Sequence, residues 1–123
     1  IELEVFISTE AMRAKGMPAQ RVSCSNTRHL YWTLAQMVAH HTCGGCNLAA
    51  GDLFGSGTIS APAASGYGSM AELSYDGTRP FELPSGEKRA FLEDGDEVTF
   101  RAHAHRAGHV SIGFGACTGR VAP

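Results

Sequence analysis

The sequence predicts a mainly β domain with one helix, and three observations carry that prediction. First, the chain opens on a strict alternation, with Ile1, Leu3, Val5 and Ile7 set against Glu2, Glu4, Phe6 and Ser8. It closes on similar patterns, in which Val98, Phe100, Ala102 and Ala104 oppose Thr99, Arg101, His103 and His105, and Val110, Ile112 and Phe114 oppose Ser111, Gly113 and Gly115. A period of two marks strands with one face in a core. Second, turn pairs recur through the second half: Asp76-Gly77, Ser85-Gly86, Asp94-Gly95 and Ala107-Gly108. Third, one convincing helical stripe is present: Leu30, Leu34, Met37, Val38 and His41.

Taken in order, Ile1–Ile7 reads as a half-buried strand. Thr9–Arg21 contains Gly16 and Pro18 and no clean period, so it reads as a loop. Val22–Cys24 suits a short strand. Asn26 is the expected N-cap of the helix, Trp32, Ala35 and Ala39 widen its apolar stripe, and Gly44-Gly45 ends it. The strands expected after it are Leu53–Ser60, Met70–Tyr75, Pro80–Leu83, Lys88–Leu92, Val98–Ala104 and Val110–Phe114. Short antiparallel strands with a single helix suggest a sheet curled into a roll or sandwich, with the helix over an open end.

At 123 residues the chain is a single domain with one modest core. Its net charge is −2, with acids and bases interspersed and no run of Lys and Arg. That pattern argues against nucleic-acid and membrane-surface partners. No apolar run is long enough to span a bilayer. The chain starts Ile1-Glu2-Leu3-Glu4, without a signal-peptide pattern or an initiating Met, and enters structure at once. A segment of a longer polypeptide is the expectation. The four cysteines, Cys24, Cys43, Cys46 and Cys117, come with no sign of secretion, so free thiols in a reducing cytoplasm are expected.

The stretch most suggestive of chemistry is Asp52–Leu73. As a strand, 53–60 places Phe54, Ser56, Thr58 and Ser60 on one face, with Gly55 and Gly57 between them admitting close approach of a ligand or backbone. On a returning strand, Met70, Glu72 and Ser74 share a face. Glu72 is then a lone carboxylate among small and apolar residues, a setting for acid/base work. Pattern alone equally allows a flexible Gly-Ser-Gly-Thr turn and a solvated glutamate.

Two further patterns have the residue types of a metal site. In His40-His41-Thr42-Cys43-Gly44-Gly45-Cys46, a Cys-x-x-Cys pair lies close to two imidazoles. Adjacent helical histidines diverge by about 100° and do not easily share a metal, and the pair follows a helix end instead of opening a helix. A glycine-rich helix stop accounts for it. His103 and His105 share a strand face, which an exposed hairpin also explains. No nucleophile elbow or phosphate-binding loop is present.

Several segments in order then carry a resemblance: Tyr31-Trp32-Thr33, Gln36-Met37, His40-His41-Thr42, Gly45-Cys46-Asn47-Leu48, Gly51-Asp52-Leu53, Gly55-Ser56-Gly57-Thr58-Ile59-Ser60, Gly68-Ser69-Met70, Glu72-Leu73, Phe91-Leu92, Asp94-Gly95-Asp96-Glu97-Val98 and Ile112-Gly113-Phe114-Gly115. From about Tyr31 to Pro123 the chain closely resembles the C-terminal part of the fumarylacetoacetate hydrolase family. The resemblance implies a partial C-terminal catalytic domain over 1–123, a mixed β-sandwich roll and a homodimer. It implies cleavage of a carbon–carbon bond in a 1,3-diketo acid, giving fumarate and acetoacetate at the end of tyrosine and phenylalanine breakdown. Mg²⁺ or Ca²⁺ would bind the diketone, with its ligands and the catalytic histidine N-terminal to this segment.

Carried over residue by residue, the resemblance makes Thr58 the substrate-binding hydroxyl and Glu72 the carboxylate that assists the histidine. His29, His40 and His41 fall at positions the family does not use for catalysis. Ala61 stands where relatives usually have glycine, which would strain a positive-φ turn if the glycine serves one. A sibling acylpyruvate hydrolase or decarboxylase is the alternative reading. A non-catalytic dimerisation domain with zinc at Cys43 and Cys46 is a second.

Overall fold

The computed structural model describes residues 1–123, Ile1 to Pro123. Its centre is strand β1 (Glu2–Ser8), which pairs antiparallel with β2 (Gln20–Asn26) on one side and with β5 (Glu97–Ala104) on the other. Strand β6 (Ile112–Arg120) completes a four-stranded antiparallel sheet of order β2-β1-β5-β6. A second sheet is a hairpin of β3 (Phe81–Glu82) and β4 (Lys88–Arg89), closed by a turn at Ser85-Gly86 in which the Gly86 N–H donates to the Leu83 carbonyl. The mainly β character therefore holds. The alternations at both ends of the chain are the strands of the larger sheet, although β6 runs past Phe114 to Arg120.

Helices differ from the expectation in number and place. A five-residue helix α1 (Glu10–Ala14) occupies the segment read as loop. Thr9 caps it by accepting from the Met12 N–H at 3.1 Å, and Met12 is fully buried. Asn26 caps only a 3₁₀ turn, Thr27–His29. The main helix α2 (Leu34–Cys43) begins about two turns later, with Thr33 as its cap, at a reciprocal capping box in which Thr33 and Gln36 satisfy each other's backbone N–H groups.

Two expected strands are not strands. Residues 52–60 form no ladder. Gly57 at φ +73° interrupts the extended run. Met70–Tyr75 contains instead the one-turn helix α3 (Met70–Leu73), capped by Ser69. On a helix, residues two apart diverge, and Ser74 is buried with its hydroxyl donating to the Met70 carbonyl, so Glu72 and Ser74 do not share a face.

The apolar core is small: Ile7, Met12 and Leu83, flanked by Met17, Val22, Met70, Phe81 and Val98. Beside it lies a buried ion pair in which Arg89 donates to Asp96 at 2.8 Å and 3.1 Å. Many large apolar side chains stay outside, among them Leu53 (98% exposed) and Val110 (90%). The chain exposes 8471 Å². A self-contained protein of 13.0 kDa would expose about 6,300 Å², so roughly 2,000 Å² of surface is in excess, the scale on which an obligate interface is built.

Candidate active site

The candidate site is built where the chain folds back on itself between Ile59 and Glu72. The Ala61 N–H donates to the Gly66 carbonyl at 2.8 Å, closing the loop that holds a 3₁₀ turn at Ala64–Gly66. The approach is too close for side chains on the returning strand of the loop. A Cβ on Gly66 would lie 2.5 Å from the Ala61 Cβ and 2.8 Å from the Cys24 carbonyl oxygen. A Cβ on Gly68 would lie 2.6 Å from Thr58 Cγ2 and 2.9 Å from the Ile59 carbonyl oxygen. Ala61 itself is not in the left-handed region, since the non-glycine residues there are Tyr75 and Asp76. The strain considered for Ala61 is therefore absent.

This fold-back brings Ser60 to Glu72. Glu72 Oε2 accepts from Ser60 Oγ at 2.7 Å, from Ser69 Oγ at 2.9 Å and from the Gly68 N–H at 3.2 Å. The hydrogen bond from Ser60 is the main cause of a carboxyl pKa below the usual glutamate range; partial burial opposes it, and Ser69 and the Gly68 N–H reinforce it. Glu72 is held as the anion.

Thr58, Ser60, Ser69 and Glu72 line one concavity of about 1000 Å³. Phe54 and Ser56 border it too, so the hydroxyl residues of 54–60 meet on one concavity without a strand. The separation is incomplete: Gly55 also borders the concavity, and Thr58 joins Gly57 and Ile59 along a separate groove against the main sheet. The far side of the concavity is formed by His29, Tyr31 and Trp32 and by Gln36, Met37, His40 and His41 of α2. The His41 ring meets Phe54 edge-on, with centroids 5.2 Å apart.

The sequence pattern puts Ser60 on the hydroxyl face but gives neither Ser60 nor Ser69 as a partner of Glu72, which the structure makes them. Ser69-x-x-Glu72 was the available signal: it is a helix-start pattern, and read so it removes the strand and puts a hydroxyl on the glutamate.

The other metal-like patterns do not assemble. Cys43 ends α2 and donates to the His40 carbonyl, and neither it nor Cys46 belongs to a group of three or more possible ligands. His103 sits 3.4 Å from Glu2, and His105 lies 3.1 Å from the Ser111 hydroxyl. Ligand atoms of Glu2, Glu4 and Cys24 do lie within 4.8 Å of one another on the sheet, with Glu4 already paired to Arg21 at 2.8 Å. In the concavity the one carboxylate is Glu72, with Oε2 fully engaged. A hard cation needs about six oxygen ligands, so the side chains present do not fit a Mg²⁺ or Ca²⁺ site.

The family model described as fumarylacetoacetate (FAA) hydrolase C-terminal matches residues 9–122. Fumarylacetoacetase of Caenorhabditis elegans is 51% identical over 115 residues, covering 92% of this chain and 27% of that protein. Human fumarylacetoacetase is 46% identical over 113 residues, covering 91% and 27%. That of Dictyostelium discoideum is 45% identical over 125 residues, covering 100% and 28%. The chain thus spans about a quarter of the length of the relatives it matches. It belongs to the fumarylacetoacetate hydrolase family and corresponds to its C-terminal region.

Proposed function

We propose that this chain forms one wall of the active site of a fumarylacetoacetase, an enzyme that hydrolyses fumarylacetoacetate to fumarate and acetoacetate in tyrosine breakdown. The observation that carries the reading is the meeting of Thr58 and a clamped, ionised Glu72 on one concavity. Glu72 orients an imidazole contributed from outside the chain, fixes its tautomer and supports its positive charge as it takes a proton from water. The Thr58 hydroxyl donates to a carboxylate of the diketo acid and so registers the scissile bond against that water. The Mg²⁺ or Ca²⁺ expected for the family would be held by residues outside this chain.

The surplus of exposed surface supports a larger catalytic unit, with the rest of the polypeptide and a second subunit covering it. Four free cysteines support a cytoplasmic setting. No helix is long and apolar enough to cross a membrane.

Steady-state kinetics of the full-length enzyme test the assignment. Thr58→Val raises KM on the order of tenfold with kcat little changed, the loss of a hydrogen bond to a charged group. Glu72→Gln lowers kcat at least about a hundredfold with KM little changed. Wild-type kinetics in both variants would refute the roles, and faster turnover of acylpyruvates than of fumarylacetoacetate would move the substrate to the sibling class.

A further inference from the structure

The hydrogen bonds around Glu72 are unevenly shared. Oε2 accepts three, and Oε1 accepts none. Both serine hydroxyls are also fixed in direction. Ser60 Oγ accepts from the Gly68 N–H at 3.0 Å, and Ser69 Oγ accepts from the Glu72 N–H at 3.2 Å. With an acceptor position on each oxygen taken by a backbone donor, each hydroxyl proton is directed to the carboxylate. The Ser69 bonds belong to the cap of α3, whereas Ser60 reaches Glu72 from outside that helix and caps nothing.

We propose that Ser60 and Ser69, with the Gly68 N–H, are positioning residues for the reaction: they occupy Oε2 so that Oε1 alone meets the catalytic imidazole. This rests on the reading of Glu72 given above. Chemically, the clamp separates the two proton affinities. A carboxylate already accepting three hydrogen bonds competes poorly for the imidazole's proton, so the Glu–His pair keeps its proton on the ring as the base works. It also leaves the ring a single oxygen to point at, which fixes its orientation without a second acceptor geometry.

The test is the pH dependence of kcat/KM in the full-length enzyme for wild type, Ser60→Ala, Ser60→Thr and Glu72→Gln. His29, His40, His41 and Tyr31 also line the concavity and are common to every variant, so only differences between variants are read. Ser60→Ala, which touches no helix cap, moves the acid limb to higher pH and lowers kcat about tenfold with KM within about twofold. Ser60→Thr, which retains the hydroxyl, returns the wild-type profile.

If Ser60→Ala folds too poorly to assay, Ser69→Gly against Ser69→Thr takes its place, since glycine removes the hydroxyl and is tolerated at the N-cap that Ser69 forms. An unshifted acid limb and unchanged kcat in the variant without the hydroxyl, while Glu72→Gln is inactive, overturn the clamp and leave the role of Glu72 standing. An active Glu72→Gln overturns the underlying reading instead.

Discussion

Replacing Gly68 by alanine perturbs the fold-back that joins the Thr58 segment to Glu72. The new Cβ would stand 2.6 Å from Thr58 Cγ2 and 2.9 Å from the Ile59 carbonyl oxygen, where 3.4 Å begins ordinary contact. The methyl can turn aside, but the backbone oxygen cannot, so the 58–60 segment must retreat by roughly half an ångström. The Gly68 N–H already reaches Glu72 Oε2 at 3.2 Å and Ser60 Oγ at 3.0 Å. A retreat of that size draws Ser60 away from the Gly68 N–H, now at 3.0 Å, and from Glu72 Oε2, now at 2.7 Å, and takes the first bond beyond the usual hydrogen-bond range. Overpacking costs about 1–3 kcal/mol of stability, and since a full ångström of misplacement costs about a hundredfold in rate, half of that is expected to cost about tenfold.

The assay is urea unfolding and kcat of the full-length enzyme, with Gly44→Ala as control. Gly44 has no neighbour within 4 Å of its Cβ position and lies outside the left-handed region, so its substitution is expected to be silent. Wild-type stability and kcat in Gly68→Ala would refute the claim that this close approach sets the site.

Two further outcomes concern the scaffold. Asp96→Ala leaves the Arg89 guanidinium buried with Glu87 at 3.3 Å, the exposed Glu93 at 3.2 Å and the Lys88 carbonyl at 3.1 Å; a loss of about 3 kcal/mol in urea unfolding is expected, largely recovered in Arg89→Met/Asp96→Leu, and a loss under about 1 kcal/mol would contradict the burial argument. Hydrogen bonds from Ser85 and then Thr9, with Arg89 nearby, hold the Glu87 carboxyl below its usual range. A depressed carboxylate contributes stability that is full above its unfolded pKa and lost as pH falls through the folded one. Unfolding midpoints should therefore decline below about pH 4.3, less steeply in Glu87→Gln; a curve flat from neutral pH to about pH 3 would remove that contribution.

The strands of the main sheet were legible because their apolar residues recur with a period of two, even though Phe100, Ile112 and Phe114 lie exposed in this chain and β6 is open along its whole length. Glu2, Leu3 and Glu4 lie opposite His103, Ala102 and Arg101, the register that alternation implies. Short helices were not legible by period, since five residues of α1 and four of α3 are too few to display one. Their caps were present in the sequence: Thr9, Thr33 with Gln36, and Ser69 with Glu72. Reading a hydroxyl three residues ahead of a glutamine or glutamate as a helix start corrects α2 and α3 together.

Residues 53–60 look like a strand because their composition suits one. They make no backbone ladder bond to any strand, and Gly57 in the left-handed region breaks the extended run. Their hydroxyl residues nevertheless share a wall, because the segment borders the concavity on both sides of that break.

The most direct measurement is a crystal structure of the full-length enzyme with a non-hydrolysable diketo acid bound. The ligand carboxylate should lie within hydrogen-bond distance of the Thr58 hydroxyl, with Glu72 Oε1 on an imidazole nitrogen and Oε2 still held by Ser60 and Ser69. A ligand seated away from Thr58, or Glu72 turned to solvent without an imidazole partner, would contradict it.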